Sequence, residues 1–380
     1  MRIALVGRRF DPDGGGTERD LIVTAGILTR AGHRVVIYAD EVRAPSDEFE
    51  LRRVAAVRLG RALRLFGFAA RAATIARRAG SELVLSFARI IGADIIRSGG
   101  GAHSSYVRAA RQWQSMSGVT LMRLSPYHRA QVAIERAGYA SPRLECAIAV
   151  SELVRRDLLK TFDLPSEKIL TLYNGVDLER FRPNADSKLR AEARRELAVP
   201  EDGLAIAFVG NGFARKGLKF LIDAWPLVDP KAHLVVAGAD RAADKYRRRA
   251  AELGVGDRVR LLGSYQHVER LFAAVDGLAM PSLFEPFGNV VLEAMATGLP
   301  VLCSKACGAA ELLPAELREL VVEDPTDLGE LARRLNLLVR CAGDPILKSV
   351  LRSTAEQYSW DRHARELLSI IGRHSLAQRH

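Results

Sequence analysis

Short apolar runs alternate with segments of helical periodicity along the whole chain, the pattern of an α/β protein with parallel sheets. In the first half Ile3–Val6 reads as the opening strand, Asp11-Pro12-Asp13-Gly14-Gly15-Gly16 as a loop, and Thr17 to about Thr29 as a helix. The turn Ala31-Gly32-His33 leads into a second strand, Arg34–Tyr38. Further strands are expected at Leu83–Phe87, Asp94–Arg97, Glu145–Val150 and Lys168–Leu172, with Ser151 placed to cap the helix that follows Val150. The second half begins the pattern afresh. Ala205–Gly210 enters a loop over Asn211–Lys216, a helix starts near Leu218, and strands at Leu234–Ala237, Val259–Leu262, Gly277–Met280 and Pro300–Cys303 alternate with helices. Between the halves, Pro183–Gly203 is polar and charged, so the domain junction is expected there. Two doubly wound, Rossmann-like halves facing each other would bring the carboxyl ends of both sheets to one cleft, where ligands of such sheets bind. From Ser359-Trp360-Asp361 onward, Ala364, Leu367, Leu368 and Ile371 form a helical apolar stripe, which packing on its own domain would also explain.

A length of 380 residues suits two domains, and 48% hydrophobic content excludes disorder, collagen-like repeats and a disulfide-stapled miniature fold. No window of 18 charge-free apolar residues occurs, so no transmembrane helix is expected. The run Ile3–Gly7 is too short for a signal-peptide core and ends in Arg8-Arg9, so a cytoplasmic protein is expected. Four cysteines fit a reducing compartment; Cys303 and Cys307 lack a second pair or nearby histidines, so no zinc site is expected.

The net charge of +11 is concentrated: Leu51 to Ile134 holds fourteen arginines against two acids, Glu82 and Asp94. Leu63, Leu65, Phe66, Phe68 and Ile75 interleave the first of them. An ordinary arginine-rich surface explains this, and so does a patch for an anionic partner. Bulky apolar side chains beside arginine favour an anionic membrane face over nucleic acid, for which no recognition motif appears.

Several segments carry candidate chemistry. Gly14-Gly15-Gly16 follows a strand and opens a helix; it reads either as a tight turn or as a close backbone approach to an anion. It lacks the G-x-G-x-x-G spacing of a nicotinamide site. Arg215-Lys216-Gly217 sets two cations at a helix start, against the dipole, unless an anion is present. They are either solvated side chains or neutralisers of a pyrophosphate leaving group. Glu285 and Glu293 form a Glu-x7-Glu pair around Pro286-Phe287-Gly288-Asn289. Carboxylates suit sugar hydroxyls, and the helix of Glu293 is apolar nearly all round, so that this glutamate is buried and needs partners. His103 follows the glycine run Gly99–Gly101 at a strand's carboxyl end, a structural or a functional position.

These residues in this order resemble the family 4 glycosyltransferases of GT-B fold. The resemblance is carried by Tyr173-Asn174-Gly175-Val176-Asp177 through Pro183, by Arg215-Lys216-Gly217, and by Pro281 through Glu285-Pro286-Phe287-Gly288 to Glu293-Ala294 and Gly298-Leu299-Pro300. It covers essentially the whole chain. Gly14–Asp20, Phe213-Ala214-Arg215-Lys216-Gly217, Leu124-Ser125-Pro126-Tyr127-His128-Arg129 and Glu135-Arg136 narrow it toward lipopolysaccharide core glucosyltransferases.

The resemblance implies an acceptor-side domain over 1–182, a donor-binding domain over 183–357, and a terminal helix, 358–380, crossing back to the first. It implies that Gly15 and Gly16 face the donor phosphates, that His103 lies near the donor hexose, and that Arg215 and Lys216 bind the pyrophosphate. Glu285 would contact the hexose, with the Phe287, Gly288 and Asn289 amides nearby; Glu293 would hold the ribose and Asp20 would reach the sugar or acceptor side. Many relatives carry arginine where this chain has Asn211, which leaves more of the phosphate to Arg215.

The activity implied is retaining transfer of a hexose, glucose from UDP-glucose, to a hydroxyl of a glycolipid or lipopolysaccharide-core acceptor. It needs no metal and no other cofactor, with the arginine tract 51–134 holding the enzyme to the inner membrane face. A nucleotide-sugar epimerase of the same fold class, a glucan synthase sharing Glu-x7-Glu, and a non-enzymatic anionic-surface-binding protein are the alternatives.

Overall fold

The computed structural model describes residues 1–55, 60–184, 186–200 and 203–377. Arg58 of the arginine tract, positions 185, 201 and 202 of the expected junction, and the last three residues of the expected terminal helix lie outside them. The chain divides into two compact units, Met1–Asn174 with Asp361–His380, and Gly175–Trp360.

The first unit is built on seven parallel strands. They are β1 (Arg2–Phe10), β2 (Arg34–Val42), β3 (Glu50–Arg53), β4 (Leu83–Ser86), β5 (Ile95–Ser98), β6 (Cys146–Ala149) and β7 (Ile169–Thr171), in the order β3-β2-β1-β4-β5-β6-β7. Register runs Ile3↔Val35 and Ile3↔Leu83 on the two sides of β1. Strands covered on both faces need continuous apolar runs, and Ile3–Val6, Val36–Ala39 and Leu83–Leu85 are buried throughout. Helices α1 (Gly16–Arg30), α2 (Arg61–Arg78), α3 (His103–Ala109), α4 (Met116–Leu124), α5 (Pro126–Tyr139) and α6 (Glu152–Thr161) connect them. The expected cap is present: Ser151 Oγ accepts from the Val154 amide at 3.1 Å. The strand over Glu50–Arg53 has no counterpart in the periodicity. Its Glu-Leu-Arg-Arg sequence lies at the sheet edge, where side chains reach water and charge is tolerated.

The second unit carries β8 (Leu204–Val209), β9 (Ala232–Ala237), β10 (Val259–Gly263), β11 (Gly277–Met280), β12 (Val301–Ser304) and the two-residue β13 (Val321–Val322), in the order β10-β9-β8-β11-β12-β13. Its helices are α7 (Ser187–Glu196), α8 (Leu218–Ala224), α9 (Ala243–Glu252), α10 (Val268–Ala274), α11 (Asn289–Ala296), α12 (Leu328–Arg340) and α13 (Pro345–Glu356). The polar stretch after Pro183 contains α7, and its charge has a structural use. The buried Arg194 guanidinium donates to the carbonyls of Pro200 and Ala274 and pairs with Asp276, as does Arg190. The division between the units falls earlier, at Asn174/Gly175. The last helix, α14 (Trp360–Ala377), adds Leu367 and Ile371 to the core of the first unit, beside Leu5, Leu21 and Ile37.

Both sheets share a feature that locates a site. In each, the strand order reverses beside the first strand, between β1 and β4 and between β8 and β11. Loops leaving the carboxyl ends of those strands part in opposite directions and open a crevice for ligands.

Candidate functional site

In the second unit the loops at this reversal hold the paired cations and the first acidic residue. The Arg215-Lys216 loop follows β8, and Glu285 follows β11. Lys216 Nζ donates to Glu285 Oε2 at 2.6 Å, and Arg215 Nη1 donates to the same oxygen at 3.1 Å and to the Phe284 carbonyl at 2.6 Å. Burial pushes the Glu285 carboxyl up, but the Lys216 ammonium and the Arg215 guanidinium outweigh it and hold the carboxyl below its ordinary range. Backbone contacts fix both loops. The Leu283 amide donates to the Arg215 carbonyl at 2.8 Å, the Glu285 amide to Ala306, and the Gly308 amide to Glu285.

Two glycines allow this closeness. Gly217 has φ +81, and a Cβ there would stand 2.0 Å from the Pro281 carbonyl oxygen. Gly288 has φ +95 and would meet Cys307 Sγ at 2.8 Å. Both are left-handed positions that L side chains avoid.

Gly288 precedes α11, so Asn289 is its first residue and Glu293 stands one turn on. Val290 to Ala296 are buried without exception, Glu293 included, as the all-round apolar sequence requires. Phe287 turns its ring into the core, while its carbonyl accepts from the Ala309 amide at 2.7 Å and from Cys307 Sγ at 3.0 Å. Asn211 is engaged in structure: its Oδ1 accepts from the Ala239 amide at 2.7 Å.

In the first unit Gly15 is the residue before α1, in extended backbone, and Gly16 is the first helical residue. A Cβ on Gly15 would lie 3.6 Å from Glu18 Oε2, so the chain sets a carboxylate of its own beside this helix start. Asp20 is buried and accepts from Arg97 Nε. Arg97 Nη2 in turn donates to Asn174 Oδ1 at 2.6 Å. Asp20 therefore joins α1 to the ends of β5 and β7 rather than presenting a bare carboxylate at the surface.

His103 opens α3 just past β5. Its ring Nε2 lies 2.9 Å from His128 Nδ1 on α5, and its amide donates to Glu135 Oε2 at 2.8 Å. Burial, the Arg89 guanidinium and His128 lower the His103 pKa to about 3, so the ring is neutral at neutral pH. Burial raises the Glu135 carboxyl, against the Arg89 Nε contact at 2.7 Å. Asp157 on α6 accepts from the Ala102 amide at 2.9 Å and from Ser105 Oγ at 2.5 Å. The start of α3 is thus capped by carboxylates of the chain itself.

Arg97, Asn174, Arg89 and Asp157 carry no role that the sequence motifs imply. One signal was present: Arg97 interrupts the apolar run of a central strand, where a charge needs a buried partner. Among the described residues no group of three or more His, Cys, Asp and Glu is disposed to hold a metal ion.

Part of the arginine tract is taken up by structure. Arg64 pairs with Asp40 and Glu41, Arg77 with Asp94, Arg89 with Glu135 and Arg97 with Asp20, while Arg71 donates to the Ala55 carbonyl. Arg108, Arg111, Arg123 and Arg129 are exposed. So are Met116, Leu121 and Leu124 on α4, at 74%, 71% and 67% of full accessibility.

Among the described residues, no helix is long and apolar enough to cross a membrane.

Comparison with known proteins accords with this architecture. The model of glycosyltransferase family 4 matches residues 14–180, and that of the group 1 glycosyl transferases matches residues 190–357. An uncharacterised glycosyltransferase of Methanocaldococcus jannaschii is 31% identical over 245 residues, 63% of either chain. The match to the next curated relatives spans about half their length. Among solved structures, WaaG, a glycosyltransferase involved in lipopolysaccharide biosynthesis, superimposes with a TM-score of 0.79 at 23% identity, over 97% of this chain and 99% of its own. HepE of Anabaena, solved in complex with UDP and glucose, does so with a TM-score of 0.73 at 18% identity, over 98% of this chain and 100% of its own. With two parallel-sheet units of this topology and family matches that together run over most of its length, the chain belongs to the GT-B glycosyltransferases that join a family 4 domain to a group 1 domain.

Proposed function

We propose that the protein transfers a hexose, glucose from UDP-glucose, to a hydroxyl of a glycolipid or lipopolysaccharide-core acceptor with retention of anomeric configuration. The observation that carries this reading is the convergence of Lys216 and Arg215 on Glu285 at the strand-order reversal of the second sheet. Cleaving the bond between the anomeric carbon and the diphosphate oxygen builds negative charge on that oxygen, and pre-placed cations stabilise it without reorganisation. In the reaction proposed, the acceptor oxygen bonds to the anomeric carbon on the face the diphosphate leaves. The departing phosphate oxygen takes the acceptor's proton.

Glu285, held ionised by the two cations, accepts hexose hydroxyls and forms no covalent bond to the sugar. His103, neutral, contributes a hydrogen bond to the hexose, and Glu293 accepts from the ribose hydroxyls. The Phe287, Gly288 and Asn289 backbone lines the diphosphate, and Asp20 acts by holding Arg97. Leaving-group charge is met by the chain's own side chains and backbone amides, so transfer should be indifferent to chelators.

HepE, which shares the fold, was solved with UDP and glucose, which supports UDP-glucose as the first donor to test. A thermal-shift panel of UDP, GDP and ADP sugars tests the donor, since a ligand at 100 times its Kd adds about 2.7 kcal/mol of stability. Product analysis by NMR then separates retained transfer from epimerisation. Failure of every nucleotide sugar to stabilise the protein would overturn the reading.

We further propose that the protein attaches peripherally to the anionic inner membrane face. Exposed Met116, Leu121 and Leu124 beside exposed Arg108, Arg111, Arg123 and Arg129 support this, since apolar side chains inserted among basic ones are what such a surface binds.

A further inference from the structure

His128 and Glu135 stand seven residues apart on α5, two turns along one face, and both reach the first residue of α3. Glu135 takes the backbone: its Oε2 accepts from the His103 amide, while Oε1 accepts from Arg89, whose Nη2 donates to the Gly101 carbonyl at 3.2 Å. His128 takes the ring. The two imidazoles are inclined by only 15° with centroids 5.1 Å apart. With their nitrogens at 2.9 Å, that is an edge-to-edge, nearly coplanar hydrogen bond.

Such a bond holds one proton between the two nitrogens. Two would repel, and so would two lone pairs. The surroundings keep both rings neutral. Arg89 faces His103 from the loop after β4, and Arg61 on α2 lies near His128, its guanidinium 4.8 Å from the Tyr127 ring centroid. Glu135 and Asp157 are engaged by amides, and the Tyr106 ring lies 5.8 Å from His103.

The direction of the bond follows from tautomer chemistry. If His103 donates from Nε2, both rings keep Nε2–H, the form a free imidazole side chain prefers. The reverse direction forces Nδ1–H on both. We propose that His128 is a positioning residue: its Nδ1 accepts from Nε2–H of His103, fixing that ring's plane and tautomer and leaving His103 Nδ1 as the acceptor for a hydroxyl of the donor hexose. This rests on the transferase reading for the identity of the hydroxyl, but not for the tautomer.

The test uses two-bond proton–nitrogen spectra of the full-length protein labelled at histidine, without sugar, with His103 assigned by its loss in His103→Gln. In the wild type, His103 Nε2 should resonate as pyrrole-type and Nδ1 as pyridine-type. His128→Asn keeps an acceptor oxygen at the δ position, so it should retain both this signature and most of the turnover. His128→Ala should give a tautomer mixture. Its kcat should fall about tenfold, as when an outer partner that orients a histidine is lost, with the UDP-glucose KM little changed. A protonated Nδ1 on wild-type His103, or Ala and Asn variants alike in spectrum and kcat, would overturn the proposal. Absence of turnover in the wild type would strike the transferase reading instead, with the spectra still deciding the histidine pair.

Discussion

Lys216 and Glu285 show how little of a site lies in any single residue. Each alone would be costly where it stands: a buried carboxylate lacks hydration, and a buried ammonium lacks a counter-charge. Together, with Arg215 on the same oxygen, they form a charged but satisfied cluster. Lys216→Ala should therefore lose about 3–4 kcal/mol of transition-state stabilisation, by analogy with an oxyanion-site donor. Steady-state turnover with UDP-glucose measures it, and wild-type rates would contradict the role. Glu293→Ala should act differently, raising the donor KM with kcat nearly unchanged, because ribose contacts do not change as the bond breaks. Gly217→Ala places a methyl 2.0 Å from a backbone oxygen at a left-handed position. It should destabilise the protein by about 2 kcal/mol or more, read as a lower denaturation midpoint with a weakened donor-induced shift. The chemistry of these residues was visible in the sequence as Arg-Lys-Gly and Glu-x7-Glu. That both cations meet one carboxylate oxygen was not, because almost seventy residues of chain separate them.

At the level of elements, periodicity located the central strands and most of the helices that follow them, since strands covered on two faces leave long apolar runs. It passed over β3 and β13, one charged at an edge and the other two residues long. It also assigned no helices between Gly101 and Leu124, where α3 and α4 are short. Helix α4 departs from the usual amphipathic rule by exposing Met116, Leu121 and Leu124. If that stripe enters a lipid headgroup layer, Leu121→Asp should weaken cosedimentation with vesicles containing anionic lipid while leaving donor-induced thermal stabilisation intact. Binding should also fall with salt, as screening weakens the arginine contribution. Cosedimentation that ignores both the substitution and the salt would remove the idea. Glu135 and His128 belong to this scale too. Both fall within motifs of the sequence, but their shared helical face has meaning only once α3 is seen against it.

For the whole molecule, pH exposes the buried polar groups. His363 on α14 donates from Nδ1 to the Tyr173 carbonyl at 2.7 Å, and burial followed by the Arg97 charge lowers its pKa to about 4. His103 is lowered to about 3. The unfolded chain binds protons at these residues near pH 6.5, which the folded chain refuses until far lower pH. Their contribution is full above about pH 6.5 and declines as pH falls toward 4 and below. Glu285, held down, is lost in the same direction; Glu135, pushed up by burial, works in the opposite sense. Urea denaturation between pH 7 and pH 4.5 should show falling stability, with a shallower slope in His363→Asn, which removes the titrating ring and keeps a donor at the δ position. An unchanged slope would contradict the buried neutral form. The apolar pattern alone determined that this chain makes two parallel-sheet units, because burying strands on both faces demands it, and its motifs marked the loops that carry charge. Only the tertiary structure decided which arginines are spent on internal carboxylates, where Asp20 points, and which helix holds His103. Those depend on side chains brought together from distant parts of the chain, and no local spacing encodes such meetings.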